Sequence, residues 1–364
     1  MTERPQPLPQ LAKVNRYVPG EAPKPGAGKT FKLASNENPL GAPPMAKDVY
    51  VKAADRIDVY PDGGAVALKE AIARRHGLPA ERIAVGAGSD EIFLLLGRAY
   101  LAPGDQIVAT KHAFAIYAVI GQQQGAEVIE VDEKDFVADV DAILAAVTPK
   151  TKIVWLANPN NPTGTYIPFD EVKRLHAGLP KSCLLVLDGA YAEYVKKNDY
   201  AVGLELAAES ENVVVTRTFS KIYGLAGLRV GWGFAPAHVI EAIEGVRMPF
   251  NVNIVAQSAA IAALDDQDFL KRSLEHNEQE LARLIAGLRE LGLETLESVC
   301  NFAVAKFPTE PGRTAADALD FLKARGVTVR GLKGYRMPDH LRISVGTAEG
   351  NDAVLAGLRE FLAK

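Results

Sequence analysis

With 364 residues, 48% of them hydrophobic and 24% charged, the chain can bury a large core and is long for a single one, which points to two lobes. Its 41 basic and 45 acidic side chains leave a formal charge of -4, so nothing electrostatic favours nucleic acid or an anionic membrane as partner. Two distant cysteines, six histidines without a metal-type pair and no apolar run near the roughly 18 residues of a membrane helix argue against a disulfide framework, a metal and a span, and read as a soluble cytoplasmic protein.

Residues 1–34 read as an N-terminal arm, irregular where Pro, Gly, Lys and Gln crowd together. Within it "GAGKT" (26–30) imitates the end of a phosphate-binding loop, but Pro23 stands where the first glycine is required. A helix is predicted from Val66 to Arg75, and "IAVGAGSDEIFLLLGRAYL" then gives strand, Gly-rich turn and helix, with Ser89 placed to N-cap. Strand and helix alternate on through "QIVAT", "EVIEV", "KIVWLAN", "CLLVLDGA" and "NVVVTRTFS", and Leu228 to Phe234 reads as a further strand. Continuous apolar strands of this kind predict an α/β fold: a mostly parallel sheet covered by helices on both faces. After about residue 260 the texture changes. Leu270, Leu274, Leu281, Leu284, Leu288 and Leu291 recur at helical spacing in one long amphipathic helix, followed by "NFAVAKF", a helix near 315–325, the strands "VTVR" and "LRISVG" and a last helix. The division predicted is an arm at 1–34 that is part of the small domain, a large domain at 35–260 and a smaller α+β domain at 261–364.

Four stretches carry chemistry. In "VGAGSDE" the turn Gly88, Ser89, Asp90 opens a helix, and free N–H groups with the positive helix end can hold an anion. "NPNNPTG" (158–164) is a rigid loop at a strand's carboxyl end, where open α/β sheets place ligands; a structural turn would read the same way, and otherwise Asn161 is an amide pointing into the crevice. "LLVLDGAYAEY" ends an apolar strand on Asp188, which either caps a turn or holds a cation, with the Tyr191 phenol nearby. "RTFSKIYGLAGLR" puts Lys221 between two apolar runs, where an ammonium is costly to bury, among Thr218, Ser220 and Arg229. Together these are what pyridoxal phosphate requires: a phosphate cradle, a carboxylate for the ring nitrogen, and a lysine whose charge is discharged in a Schiff base.

At this point the chain resembles the fold-type I pyridoxal-phosphate-dependent aminotransferases. "SNENPLG", "VYPDGG", "GSDE", "NPNNPTG", "DGAYAEY", "RTFSKIYGLAGLRVGWG", "MPFNVN" and "LRISVGT" match in order and span most of the chain. The resemblance implies that Lys221 forms the Schiff base, Asp188 pairs with the ring nitrogen, and Asn161 and Tyr191 contact the ring hydroxyl. It implies a phosphate turn of Gly88, Ser89 and Asp90 with Thr218, Ser220 and Arg229, and a homodimer in which Tyr60 reaches the partner's phosphate. "HAFAIY" departs from the family's "PTYxxY": Phe114 takes the ring-stacking place, and His112 replaces proline. Tyr17, Asn36, Arg330 and Arg342 match positions that hold substrate anions.

"SNENP" and the lysine segment favour the branch that exchanges an amino group between histidinol phosphate and 2-oxoglutarate. The alternatives are transamination of phenylalanine or tyrosine, or a non-catalytic binding protein on the same fold. The partners implied are a small amino donor and a 2-oxo acid, with no metal, nucleic acid or membrane.

Overall fold

The computed structural model describes residues 5–15 and 29–363. Apolar runs become strands buried on both faces, because successive side chains of a strand alternate sides. In Thr151–Ala157, Ile153 and Trp155 enter one core layer while Val154 and Leu156 enter the other. Val213–Thr218 divides its valines the same way, Val214 to one side and Val213 and Val215 to the other.

Seven strands form one sheet in the order Ile83–Gly86, Gly231–Phe234, Val213–Thr218, Leu184–Asp188, Thr151–Ala157, Gln106–Thr110, Glu127–Val131. Pairings are parallel except those of Gly231–Phe234, which is antiparallel to both neighbours. The fold is thus α/β with a mostly parallel sheet, as the alternation requires. The strand predicted from Leu228 begins only at Gly231, because Arg229 takes a left-handed φ of 54° and Ala226–Leu228 coil into a short 3-10 turn. No helix among the described residues is long and apolar enough to cross a membrane.

A second, antiparallel sheet has the order Arg330–Gly331, His340–Ser344, Phe302–Lys306, Glu294–Thr295. The long helix Gln267–Glu290 and the helices Ala315–Ala324 and Ala348–Leu362 cover one face, with Leu284, Leu288, Leu322, Leu341, Ile343 and Leu358 in the core between. Strand alternation then turns Arg342 and Ser344 to the opposite face. Phe302 and Val304 on the neighbouring strand join the core of the large sheet, so this face meets the large lobe. "VTVR" proves not to be one strand. Val327–Thr328 pairs in parallel with Phe31–Lys32, whereas Arg330–Gly331 joins the four-stranded sheet, and the break at Val329 separates them.

Candidate active site

Parallel strands end at the same edge of a sheet, so loops that follow them converge. Ala157 stands opposite Asp188, and Asp188 opposite Thr216. The loops after these three strands therefore deliver Asn161, Tyr191 and Lys221 to one cavity of about 280 Å³, which Arg330 and Arg342 of the small sheet also line. Asn36, Ser89, Asp90, Phe114, Asp188, Thr218, Ser220 and Arg229 also line it.

Asp188 is 6% exposed, and burial raises its pKa from the usual 3.8 to about 6. The Tyr117 hydroxyl, 2.5 Å from Oδ2, and the Ala190 N–H, 3.1 Å from Oδ1, pull the other way by bonding the carboxylate. Burial likewise lowers Lys221 to about 8, and Arg342 and Arg229 add to the shift. The Lys221 Nζ lies 5.6 Å from the centre of the Tyr191 ring and donates to Ser35 O at 3.5 Å. Tyr117 was missed in the sequence, where it passes as one more apolar residue of the helix Ile116–Gln124. Its ring stacks on Trp155 at 5.0 Å, and Phe93 meets both edge-on.

The turn that opens the helix Ser89–Tyr100 is built by glycine. A Cβ on Gly88, which has φ +83°, would fall 2.5 Å from Arg229 Nη2, and one on Gly231 would fall 2.4 Å from the Ser89 N. The guanidinium of Arg229 thus lies over the first turn of the helix Ser89–Tyr100, within 3.2 Å of both Ser220 Oγ and Asp90 Oδ2. Ser89 does not cap this helix with its side chain: the cap position falls on Gly88, and Ser89 is the first helical residue. The Ser89 and Thr218 side chains stay close to the cavity, and Thr218 Oγ1 accepts from the Ser220 N–H at 3.1 Å.

Across the cavity, Arg342 is 5% exposed and stands directly opposite Arg330 in the register of the small sheet. Its Nη1 donates to Asn161 Oδ1 and its Nη2 to Ala34 O at 2.9 Å, while its buried Nε has no partner among the described residues. Asn36 lines the cavity while its amide bonds Tyr191 through Nδ2 at 2.9 Å and Ser344 through Oδ1 at 2.8 Å. Phe114 forms one wall, edge-on to Tyr117 at 5.9 Å. His112 uses the N–H that a proline would lack: it donates to Glu133 Oε1 at 3.1 Å, and the His112 carbonyl accepts from Asn160 at 3.1 Å. Tyr60 lies outside this cavity, 79% exposed and stacked on Phe250 at 4.6 Å. Tyr17 lies outside the described residues.

The donor set fits pyridoxal phosphate. The hydroxyls of Thr218 and Ser220, the Arg229 guanidinium, which glycine at position 88 lets approach, and a helix N-terminus border the same space as a buried carboxylate and a half-buried amine.

The model of the family described as aminotransferase class I and II matches residues 28–358. Curated histidinol-phosphate aminotransferases of Rhodopseudomonas palustris (strain HaA2) and Nitrobacter hamburgensis are each 51% identical over 362 residues, 99% of both chains. The crystal structure of histidinol-phosphate aminotransferase from Sinorhizobium meliloti in complex with pyridoxal-5'-phosphate is 28% identical and superposes with a TM-score of 0.91, over 100% of this chain and 99% of that one.

A raised carboxyl pKa means that the folded, ligand-free chain bears a charge penalty at Asp188 above pH 6 that vanishes below the unfolded value of 3.8. Asp188→Asn should therefore make the ligand-free chain more stable at pH 7.5, by about 3 kcal/mol if the whole shift is recovered. The gap should close as pH falls from 6 to 4. Denaturant unfolding of both chains across this range tests it, and equal stability at pH 7.5 would make Asp188 an ordinary turn cap.

Proposed function

The chain belongs to the aminotransferase class I and II family, and we propose that it exchanges an amino group between histidinol phosphate and 2-oxoglutarate in histidine biosynthesis, with pyridoxal 5'-phosphate as cofactor. The observation that carries this reading is one cavity holding Lys221 and Asp188 on one side and two register-paired arginines on the other. It is supported by relatives named histidinol-phosphate aminotransferase that match the whole chain at about half identity. In this reading the large lobe, 35–260, holds the cofactor, and the small lobe, from 1–34 and 261–364, faces it with the substrate-reading arginines.

When bound, pyridoxal phosphate supplies the electron sink that makes the bond to the substrate's α-proton weak. Asp188 would hold the proton of the ring nitrogen, where burial beside Tyr117 fixes the carboxylate. Thr218, Ser220, Arg229 and the turn Gly88, Ser89, Asp90 would hold the phosphate. Asn161 and Tyr191 would donate to the ring oxygen, and Phe114 would flank the ring. Arg342 takes the Asn161 carbonyl oxygen, which leaves that amide's N–H groups free to face the ring oxygen. Lys221 would attach the cofactor and, once displaced by the amino donor, carry a proton at its Nζ. A pKa lowered to about 8 keeps part of it neutral near physiological pH and so able to accept that proton. Arg330, Arg342 and Tyr17 would grip the substrate's anion, and Asn36 would act next to them.

We further read the working unit as a homodimer in the cytoplasm. Exposed apolar side chains concentrate on the helix Pro44–Ala53 and near 57–60 and 248–250, among them Val51 at 70%, Ile57 at 74% and Met248 at 65%. A second copy of this chain is the occupant that such a face fits, and Tyr60, which stands on it, would reach the partner's cofactor phosphate. Both cysteines are buried and unpaired, as suits a reducing compartment.

The substrate assignment is tested by single-turnover conversion of the holoenzyme with histidinol phosphate, glutamate and phenylalanine side by side. The first two should react and phenylalanine should lag; a preference for phenylalanine would replace this reading with an aromatic aminotransferase. Arg342→Lys should lower kcat/KM for histidinol phosphate and glutamate by roughly 10–150-fold, since a point charge cannot reproduce the planar fork.

The dimer reading predicts complementation. Mixed Tyr60→Ala and Lys221→Ala chains, each inactive alone, should regain part of the activity, because one hybrid site has both residues intact. Demonstrated subunit exchange without recovery would remove Tyr60 from the partner's site.

A further inference from the structure

Asn36 occupies the left-handed region at φ 57°, where Asn is among the better tolerated residues, and is 1% exposed. Its backbone N–H donates to Ser344 Oγ at 2.8 Å, and the Ser344 hydroxyl stands 2.8 Å from Asn36 Oδ1. Asn36 Nδ2 lies 2.9 Å from the Tyr191 hydroxyl oxygen, and the Asn36 carbonyl accepts from Asn301 at 2.9 Å.

The polarity of this chain follows from its first link. A backbone N–H only donates, so Ser344 Oγ accepts there, and its own proton is matched by Asn36 Oδ1. With Oδ1 turned to Ser344, Nδ2 faces Tyr191, and an amide nitrogen only donates. Turning the amide over would set two N–H donors on one hydroxyl and strand the serine proton in a buried place, a costly arrangement. The phenol oxygen therefore accepts from Asn36, and its own proton is left for the cavity that Tyr191 lines.

We propose that Asn36 and Ser344 are positioning residues that fix the direction of the Tyr191 proton, so that the phenol donates to the cofactor's ring oxygen and does not accept from it. The inference rests on the reading that Tyr191 faces that oxygen. Asn36 thereby has a task beyond the substrate contact expected of it. The chain crosses between lobes, since Ser344 ends a small-lobe strand and Tyr191 follows a large-lobe one.

The test is the pH titration of the visible absorbance of pyridoxal phosphate bound to the holoenzyme. A donor to the ring oxygen favours its anionic form, so losing the donor raises the midpoint. Tyr191→Phe should raise it by about one unit, roughly tenfold in the proton equilibrium. Asn36→Asp keeps the shape and tolerates the left-handed backbone, yet can only accept, so it should draw the phenol proton away and raise the midpoint too. Ser344→Ala, a neutral change that unpins the amide, should do so more weakly. Each is then repeated in the Tyr191→Phe background, where the added charge of Asn36→Asp still acts and cancels from the cycle. Effects that shrink by about half a unit or more there support the relay. Effects that persist in full in both cycles overturn it, leaving Asn36 and Ser344 structural. A Tyr191→Phe chain with an unmoved midpoint also overturns it, by removing Tyr191 from the ring oxygen. Ser344→Ala keeps the test decisive if Asn36→Asp fails to fold.

Discussion

Removing Asp188 and Lys221 from water in the same cavity is the constraint on which the rest of the site depends. Their pKa values move toward each other, to about 6 and about 8, so that near neutrality neither charge is held far from its titration. An isolated surface carboxylate and ammonium would sit more than six units apart. The sheet creates this situation by simple geometry. Parallel strands release their loops at one edge, and the crevice between those loops is where the two groups meet. Tyr117 limits the penalty at Asp188 by giving the carboxylate a donor, and the Trp155 stack keeps that donor in place. In the proposed reading, a cofactor that brings a ring nitrogen and an aldehyde carbon would meet both groups where each gains most from a partner.

The small lobe contributes through the two-sided strand His340–Ser344. Leu341 and Ile343 anchor it in the small-lobe core, and the alternate residues Arg342 and Ser344 look the other way. Arg342 takes the oxygen of Asn161, and Ser344 takes the oxygen of Asn36, which in turn holds Tyr191. One strand thus orients two amides on the large-lobe side by the same device: it occupies the acceptor atom and leaves the donors to face elsewhere. A rigid strand is better suited to this than a loop, because a register shift of one residue would turn both side chains into the wrong core.

The legible part of the molecule was what short-range pattern determines. Uninterrupted apolar runs announced the buried strands, the leucine spacing announced the helix Gln267–Glu290, and Asp188 and Lys221 stood out because charge at those places conflicts with their neighbours. What depends on distant partners was not legible. Nothing local to Gly231–Phe234 says that it runs against its neighbours, nor that Val327–Thr328 and Arg330–Gly331 enter different sheets. Arg229 has a left-handed backbone that no propensity assigns to arginine, and this delays the strand after it. Tyr117 reads as helix packing until Asp188, 71 positions away, is brought to its hydroxyl. Asn36 was legible as a site residue only by resemblance, since its partners come from two lobes.

The pairing of Arg330 with Arg342 bears on which anion the site reads. Residues directly opposite in an antiparallel pair have Cβ atoms roughly 4.5–5.5 Å apart, and like charges there destabilise the sheet. Arg342 cannot relieve this by swinging into solvent, because it is buried and its two terminal nitrogens are committed to Asn161 and Ala34. Its Nε remains a buried donor without a partner among the described residues. Arg342 therefore keeps an unsatisfied buried donor beside the cavity it lines, a place where an incoming anion would find a partner. A carboxylate brings one negative charge, whereas a phosphate group brings about 1.5–2 near neutral pH and three acceptor oxygens. Two guanidinium groups at this spacing suit either, but the second charge of a phosphate neutralises more of their mutual repulsion. In the reading proposed above, a clasp of Arg330 and Arg342 would thus prefer a phosphorylated amino donor, with a dicarboxylate able to take its place in the other half of the exchange.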